Sequence, residues 1–149
     1  MNAKEIKKLR EETGAGVMEC RQALFDARGD NKKAKDILAS SAPAIAKKKA
    51  ERATKSGLIE GYVHNNKIGV LVEVSCESDF VAKNPLFKEM AHKIAMQIAS
   101  MNPRSVDALL KQEFIIDPNL KVEEFINAQI MQIKENIVVK RFIRYELGE

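Results

Sequence analysis

The chain has 149 residues, 45% hydrophobic and 31% charged, with no tryptophan and 5% aromatics; this suits one domain, or one domain with a small appendage, and argues against a stacking surface for single-stranded nucleic acid. The formal charge of +4 is uneven, with 14 Lys+Arg against 8 Asp+Glu through Ser56 and 11 against 13 beyond it, so the basic front either meets an acidic partner, RNA or protein, or is a solvated helical face. Cys20 and Cys76 stand alone, the first residues are charged, and no apolar run approaches the roughly 18 residues of a membrane span, which together point to a cytoplasmic protein that uses neither disulfide nor membrane.

In chain order, residues 3–12 place Ile6 and Leu9 among charges, the pattern of a short amphipathic helix, and Gly14-Ala15-Gly16 stops it. Val17, Cys20, Ala23, Leu24 and Ala27 then recur at helical spacing. Gly29 ends that helix, and Asp30 or Asn31 caps a third one whose apolar face holds Ala34, Ile37 and Leu38. Three short helices in about 40 residues make a bundle with a thin core, suited to docking. Pro43 predicts a break, and the Ala- and Lys-rich stretch that follows predicts a helical linker with little to bury.

From Leu58 the period changes to two. Residues 58–64 and 68–76 predict a hairpin turning at Asn65-Asn66-Lys67, with Ile68, Val70, Val72, Val74 and Cys76 on one face. Asn84-Pro85 predicts a capped helix start, Leu86, Met90, Ile94, Ile98 and Met101 its buried face, and Asn102-Pro103 its end. A helical turn over 106–110, a strand or loop at 114–116, a helix carrying Val122, Phe125, Ile126, Ile130 and Ile133, and a closing strand over 137–147 complete the chain. The expected architecture is α+β: a three-helix module at 1–42, a helical linker at 43–56, and a core at 57–149 in which helices pack on a three-stranded antiparallel sheet.

Catalytic and cofactor chemistry is poorly supplied. His64 and His92 have no partner at metal-ligand spacing, Cys76 closes an apolar face, and neither GxxxxGK[ST] nor GxGxxG occurs. No cofactor, metal or direct nucleotide is therefore expected, and no enzyme. Two stretches stand out instead. In "LREETGAGVMECRQAL", residues 9–24, Val17 and Met18 are consecutive, so packing one inward leaves the other outward, beside a Gly-rich turn that admits close approach. In "SCESDFVAKNP", residues 75–85, a carboxylate and a phenyl ring occupy a corner where an exposed loop is expected. Spacing favours Phe80 folding back on the core with Asp79 capping the backbone; the alternative is a projecting ring with charge beside it.

Both stretches resemble the signatures of the elongation factor Ts family. The first matches L-R-x-x-T-G-A-G-φ-M-[DE]-x-K-x-A-L, where φ is apolar, at Leu9, Arg10, Thr13, Gly14, Ala15, Gly16, Met18, Ala23 and Leu24, with Glu19 acidic and Arg21 in place of Lys. Residues 73–83, "EVSCESDFVAK", resemble E-φ-N-C-[EQ]-T-D-F-V-A-[KR], with Ser75 for Asn and Ser78 for Thr. The ending "KENIVVKRFIRYELG" is also close to the family, although Lys134 stands where glycine is usual. The resemblance covers essentially the whole chain, but the segment after Pro103 is short, similar to a trimmed form with one core subdomain.

The resemblance implies a nucleotide exchange factor for the GTPase elongation factor Tu, with a UBA-like N-terminal module. It implies docking through Leu9, Arg10, Thr13, Gly14, Ala15, Gly16, Val17 and Met18. Ser78, Asp79, Phe80 and Val81 would disturb the Mg²⁺ and phosphate end of the partner's GDP site, with Phe80 projecting. No nucleic acid is required, and both a monomer and a homodimer fit, since a lone sheet face can be covered by a copy of itself.

Overall fold

A computed structural model describes residues 2–149. Its elements in chain order are α1 (Ala3–Thr13), α2 (Val17–Asp26), α3 (Asn31–Lys49), β1 (Ser56–His64), β2 (Ile68–Cys76), α4 (Asp79–Ala82), α5 (Pro85–Met101), α6 (Val106–Lys111), α7 (Val122–Ile133) and β3 (Ile137–Glu146). The fold is α+β, with an antiparallel sheet in the order β1-β2-β3.

Short-range chemistry sets most of the ends. Asn2 and Glu5 form a reciprocal capping box on α1, satisfying amides that have no partner inside the helix. Gly14 then turns into the left-handed region, φ 74°, and its N–H closes on the Arg10 carbonyl at 2.8 Å. Asp30 caps α3 by accepting from the amides of Lys32 and Lys33. Asn84 caps α5 ahead of Pro85, and Asn102 ends it at φ 47°. The hairpin turns through Asn65 and Asn66, both at positive φ, where asparagine is better tolerated than most residues.

The break expected at Pro43 does not occur: α3 runs through it to Lys49. Proline removes one N–H from the helix ladder and crowds the preceding turn, a cost of about 3 kcal/mol in a helix interior. Here Leu38, Ala42 and Ala46 stay buried on either side of it and α3 lies along α7, so tertiary burial offsets the local defect. Pro43 itself faces outward. The helix consequently joins two cores. Leu9, Ala15, Cys20, Ala23, Leu24, Ala27, Ala34 and Leu38 form a small cluster among α1, α2 and α3, whereas Ala46 belongs to the larger one.

The larger core lies between the sheet and α5, α6 and α7. Val70, Val72, Val74 and Cys76 alternate along the central strand and meet Phe87, Met90, Ile94 and Ile98 of α5. Residues 114–116 form no strand; only a bridge between Glu113 and Lys121 closes that loop. The opposite face of the sheet is open and largely apolar, with Ile59, Val63, Leu71, Ile143 and Tyr145 exposed. Cross-strand pairing sets Leu71 opposite both Gly61 and Ile143, and Gly69 opposite both Val63 and Tyr145.

At the end of α7, Lys134 takes φ 69° and ψ 21°. This is a left-handed helix terminus, the setting in which glycine avoids a Cβ penalty of about 1–2 kcal/mol. Lys134→Gly is expected to raise stability to urea unfolding by about 0.5–1 kcal/mol, the relief of strain exceeding the entropy glycine gains in the unfolded chain. A lower unfolding midpoint would contradict this.

Candidate functional site

The corner after β2 is a single turn of helix between two side-chain caps. Ser78, extended at φ −127°, accepts from the Val81 amide and starts α4; Asn84 accepts from the Leu86 amide and starts α5. The loop expected here is therefore helical, and the cap is Ser78 rather than Asp79. Asp79 instead receives the Ser56 hydroxyl at 2.9 Å, which ties α4 to the start of β1.

Adjacent helical residues point about 100° apart. Val81 is buried against the larger core at 7% exposure, which turns Phe80 outward to 83% exposure. Phe80 thus projects while Val81 anchors. Beneath them Cys76 donates its S–H to the Ser78 carbonyl, and burial, then the nearby Glu135 carboxylate, push its thiol above the usual range. This is the profile of an inert, structural cysteine.

The turn is held from behind by residues nearly 60 positions away. One oxygen of Glu135 accepts the amides of Glu77 and Ser78, each at 3.0 Å, and the other accepts the Ser78 hydroxyl at 2.6 Å. The Glu77 carboxylate accepts the Asn136 amide at 3.2 Å and lies 3.8 Å from Arg52. Asn136 is buried and donates its side-chain amide to the carbonyls of Ala50 and Arg52, while Lys49 donates to the Lys134 carbonyl at 2.9 Å. Residues 134–136 therefore join three segments: the end of α3, the chain leading into β1, and the corner that carries Phe80. The pattern reading found none of these partners, because pairing across such a separation leaves no periodic trace.

The second stretch divides by burial. Leu9, Ala15 and Gly16 are buried, and Gly14 and Thr13 partly so. The Thr13 hydroxyl donates to the Leu9 carbonyl and accepts the Ala15 amide, bracing the turn. A Cβ on Gly14 would lie 2.4 Å from Gln132 of α7, so the close approach that this glycine permits is made from within the chain. Arg10 is exposed, with its guanidinium Nε 3.4 Å from the Ala15 carbonyl.

The expectation that one of Val17 and Met18 packs inward is not met. Val17 is 47% and Met18 68% exposed, because Cys20, Ala23, Leu24 and Ala27 already fill the inner face of α2. Phe25, one residue short of the helix end, is 67% exposed. It lies seven positions after Met18 and so shares its face, a spacing already visible in the sequence. The two stretches thus present two exposed apolar features besides the open sheet face, the ring of Phe80 and the Val17, Met18 and Phe25 patch. Among the described residues, no group of three or more His, Cys, Asp and Glu lies so as to hold a metal ion, and no helix is long and apolar enough to cross a membrane.

The chain is similar to known proteins of one family. The family model described as "Elongation factor TS" matches residues 27–108. The elongation factor Ts of Fervidobacterium nodosum is 40% identical, covering 100% of this chain and 99% of that protein. That of Thermotoga neapolitana is 41% identical over 97% and 95% of the two chains, and that of Thermodesulfovibrio yellowstonii 36% over 100% and 97%. The Fervidobacterium alignment spans 195 positions against the 149 residues here, so at least 46 positions have no counterpart in this chain.

Proposed function

The chain belongs to the elongation factor Ts family, and from that membership we propose that it is a guanine-nucleotide exchange factor for elongation factor Tu, acting in the cytoplasm during translation elongation. The observation that carries the reading is the outward Phe80 on a turn braced from both sides, with Asp79 beside it.

The mechanism needs no acid, base or resident cofactor. In the partner, Mg²⁺ and the GDP phosphates hold each other through shared oxygens. A protein that stabilises a conformer with a displaced Mg²⁺ shell weakens nucleotide binding, and by linkage nucleotide weakens the protein's binding in the same ratio. Phe80 would enter an apolar recess of the partner, Asp79 would set charge near the phosphate end, and Ser78 and Val81 would hold those two in place. The first three helices would serve as a UBA-like docking module, with residues 1–42 as that unit, 43–56 as linker and 57–149 as core. Arg10, Val17 and Met18 would touch the partner; Leu9, Thr13, Gly14, Ala15 and Gly16 would shape the turn that presents them.

The test is release of labelled GDP from elongation factor Tu. The protein is expected to accelerate release strongly and in proportion to its concentration until saturation. An unchanged release rate with wild-type protein overturns the reading.

The open sheet face supports a homodimer. Its apolar residues run across all three strands, and Glu73 and Arg141 pair with each other there at 2.9 Å, so neither needs a partner from a second copy. Sedimentation is expected to give a dimer mass for wild type and a monomer mass for Leu71→Asp, with GDP-release activity per folded chain as a separate readout. A monomeric wild type at micromolar concentration would count against the dimer without touching the exchange activity.

A further inference from the structure

We propose that Glu135 is a positioning residue for exchange: it holds the Asp79-Phe80 turn at a fixed angle to the helices that dock, acting through Ser78 and never touching the partner's nucleotide. The proposal rests on the exchange reading above. Glu135 spends both carboxylate oxygens on three donors from Glu77 and Ser78, the two residues immediately before the turn. Hydrogen bonds to a charged acceptor are shorter and stronger than neutral ones, and three from consecutive donors fix a direction as well as a distance. One of those donors is the Ser78 hydroxyl, whose oxygen also accepts the Val81 amide as the helix cap. The carboxylate therefore orients the cap, the cap starts α4, and α4 points Phe80 outward.

The neighbouring residue completes the linkage. Asn136 binds the carbonyls of Ala50 and Arg52, just beyond α3, so the loop that sets the Phe80 turn also sets the exit of the long helix from the N-terminal module. Two contact surfaces that engage one partner must be held at one separation and angle, and slack between them lowers the fraction of complexes in the productive geometry. Ser78 lacks the γ-methyl that restricts χ1 in threonine, so these hydrogen bonds are what fix its rotamer.

Four variants test this. Glu135→Ala is expected to lower the saturating rate of GDP release by about tenfold while leaving the half-saturating concentration within about threefold of wild type, since docking through the helices persists. Glu135→Gln is expected to recover most of the rate, its carbonyl accepting the two amides and its NH₂ donating to the Ser78 oxygen. Combining Glu135→Ala with Phe80→Ala is expected to be no worse than Phe80→Ala alone, because both remove one device. Glu135→Asp, which shortens the reach by one methylene, covers the case in which the alanine variant does not fold, and is expected to fall between wild type and alanine.

Hydrogen exchange at the amides of Glu77, Ser78 and Val81 supplies a readout independent of any partner. It is expected to quicken in Glu135→Asp and Glu135→Ala but not in Glu135→Gln. Unchanged exchange at those amides in Glu135→Ala or Glu135→Asp, a saturating rate for Glu135→Ala within about twofold of wild type, or multiplicative losses in the double variant would each overturn the proposal. If wild-type protein fails to release GDP, the functional reading falls, and the amide measurement still decides whether Glu135 holds the turn.

Discussion

Phe80→Ala is expected to leave the protein folded and to cut its acceleration of GDP release by roughly tenfold to a hundredfold. The size follows from the ring. Burying a phenylalanine side chain in a partner is worth about 1.5–3 kcal/mol, and each 1.4 kcal/mol is a factor of about ten. The absence of a stability cost follows from the free structure, where the ring is almost fully exposed and truncation opens no cavity. The measurement is therefore paired: melting temperature on one side, release rate on the other. A variant that keeps the wild-type rate would mean the exposed ring has no partner. Asp79→Asn sharpens the result, because it retains an acceptor for the Ser56 hydroxyl while removing the charge, so any further loss reads the charge alone.

Phe87→Ala should do the reverse. Phe87 is fully buried between α5 and the sheet, seven residues from Phe80 in sequence. Truncation loses its transfer energy and leaves a cavity that rigid neighbours close only in part, about 3–5 kcal/mol. Domains of this size have about 5–15 kcal/mol in total, so the urea midpoint is expected to fall by a large fraction with little change in slope. Activity per folded molecule is expected to survive below the new midpoint. A loss under about 1 kcal/mol would mean that the core around the buried Met90 and Ile94 relaxes into the space. The two phenylalanines together separate what holds the fold from what the fold presents.

Much of this was legible from local pattern. The alternation of Val70, Val72 and Val74, the Asn84-Pro85 start, the Asn65-Asn66 turn and the Gly14 stop each rest on residues within a few positions of one another. The misjudged features share a cause of another kind. Pro43 has the same local chemistry in any helix, and only burial of Ala42 and Ala46 alongside α7 lets α3 continue through it. Met18 and Val17 both face outward because Cys20, Ala23 and Leu24 had already filled the inner face. Phe80 shows both sides: spacing pointed it inward, the family resemblance pointed it outward, and it projects because Val81 takes the core.

The sequence alone determined most of the elements, their order, the α+β class and the two stretches worth attention, since periodicity, caps and turn residues act over one to four positions; the turn α4 and the run of α3 through Pro43 were not among them. Only the tertiary structure decided what each face meets. The carboxylate that holds the Phe80 turn comes from Glu135, 57 and 58 residues beyond the donors it accepts. The pairing of β3 with β2, which sets Ile137 opposite Cys76, is what brings the two segments within hydrogen-bonding reach.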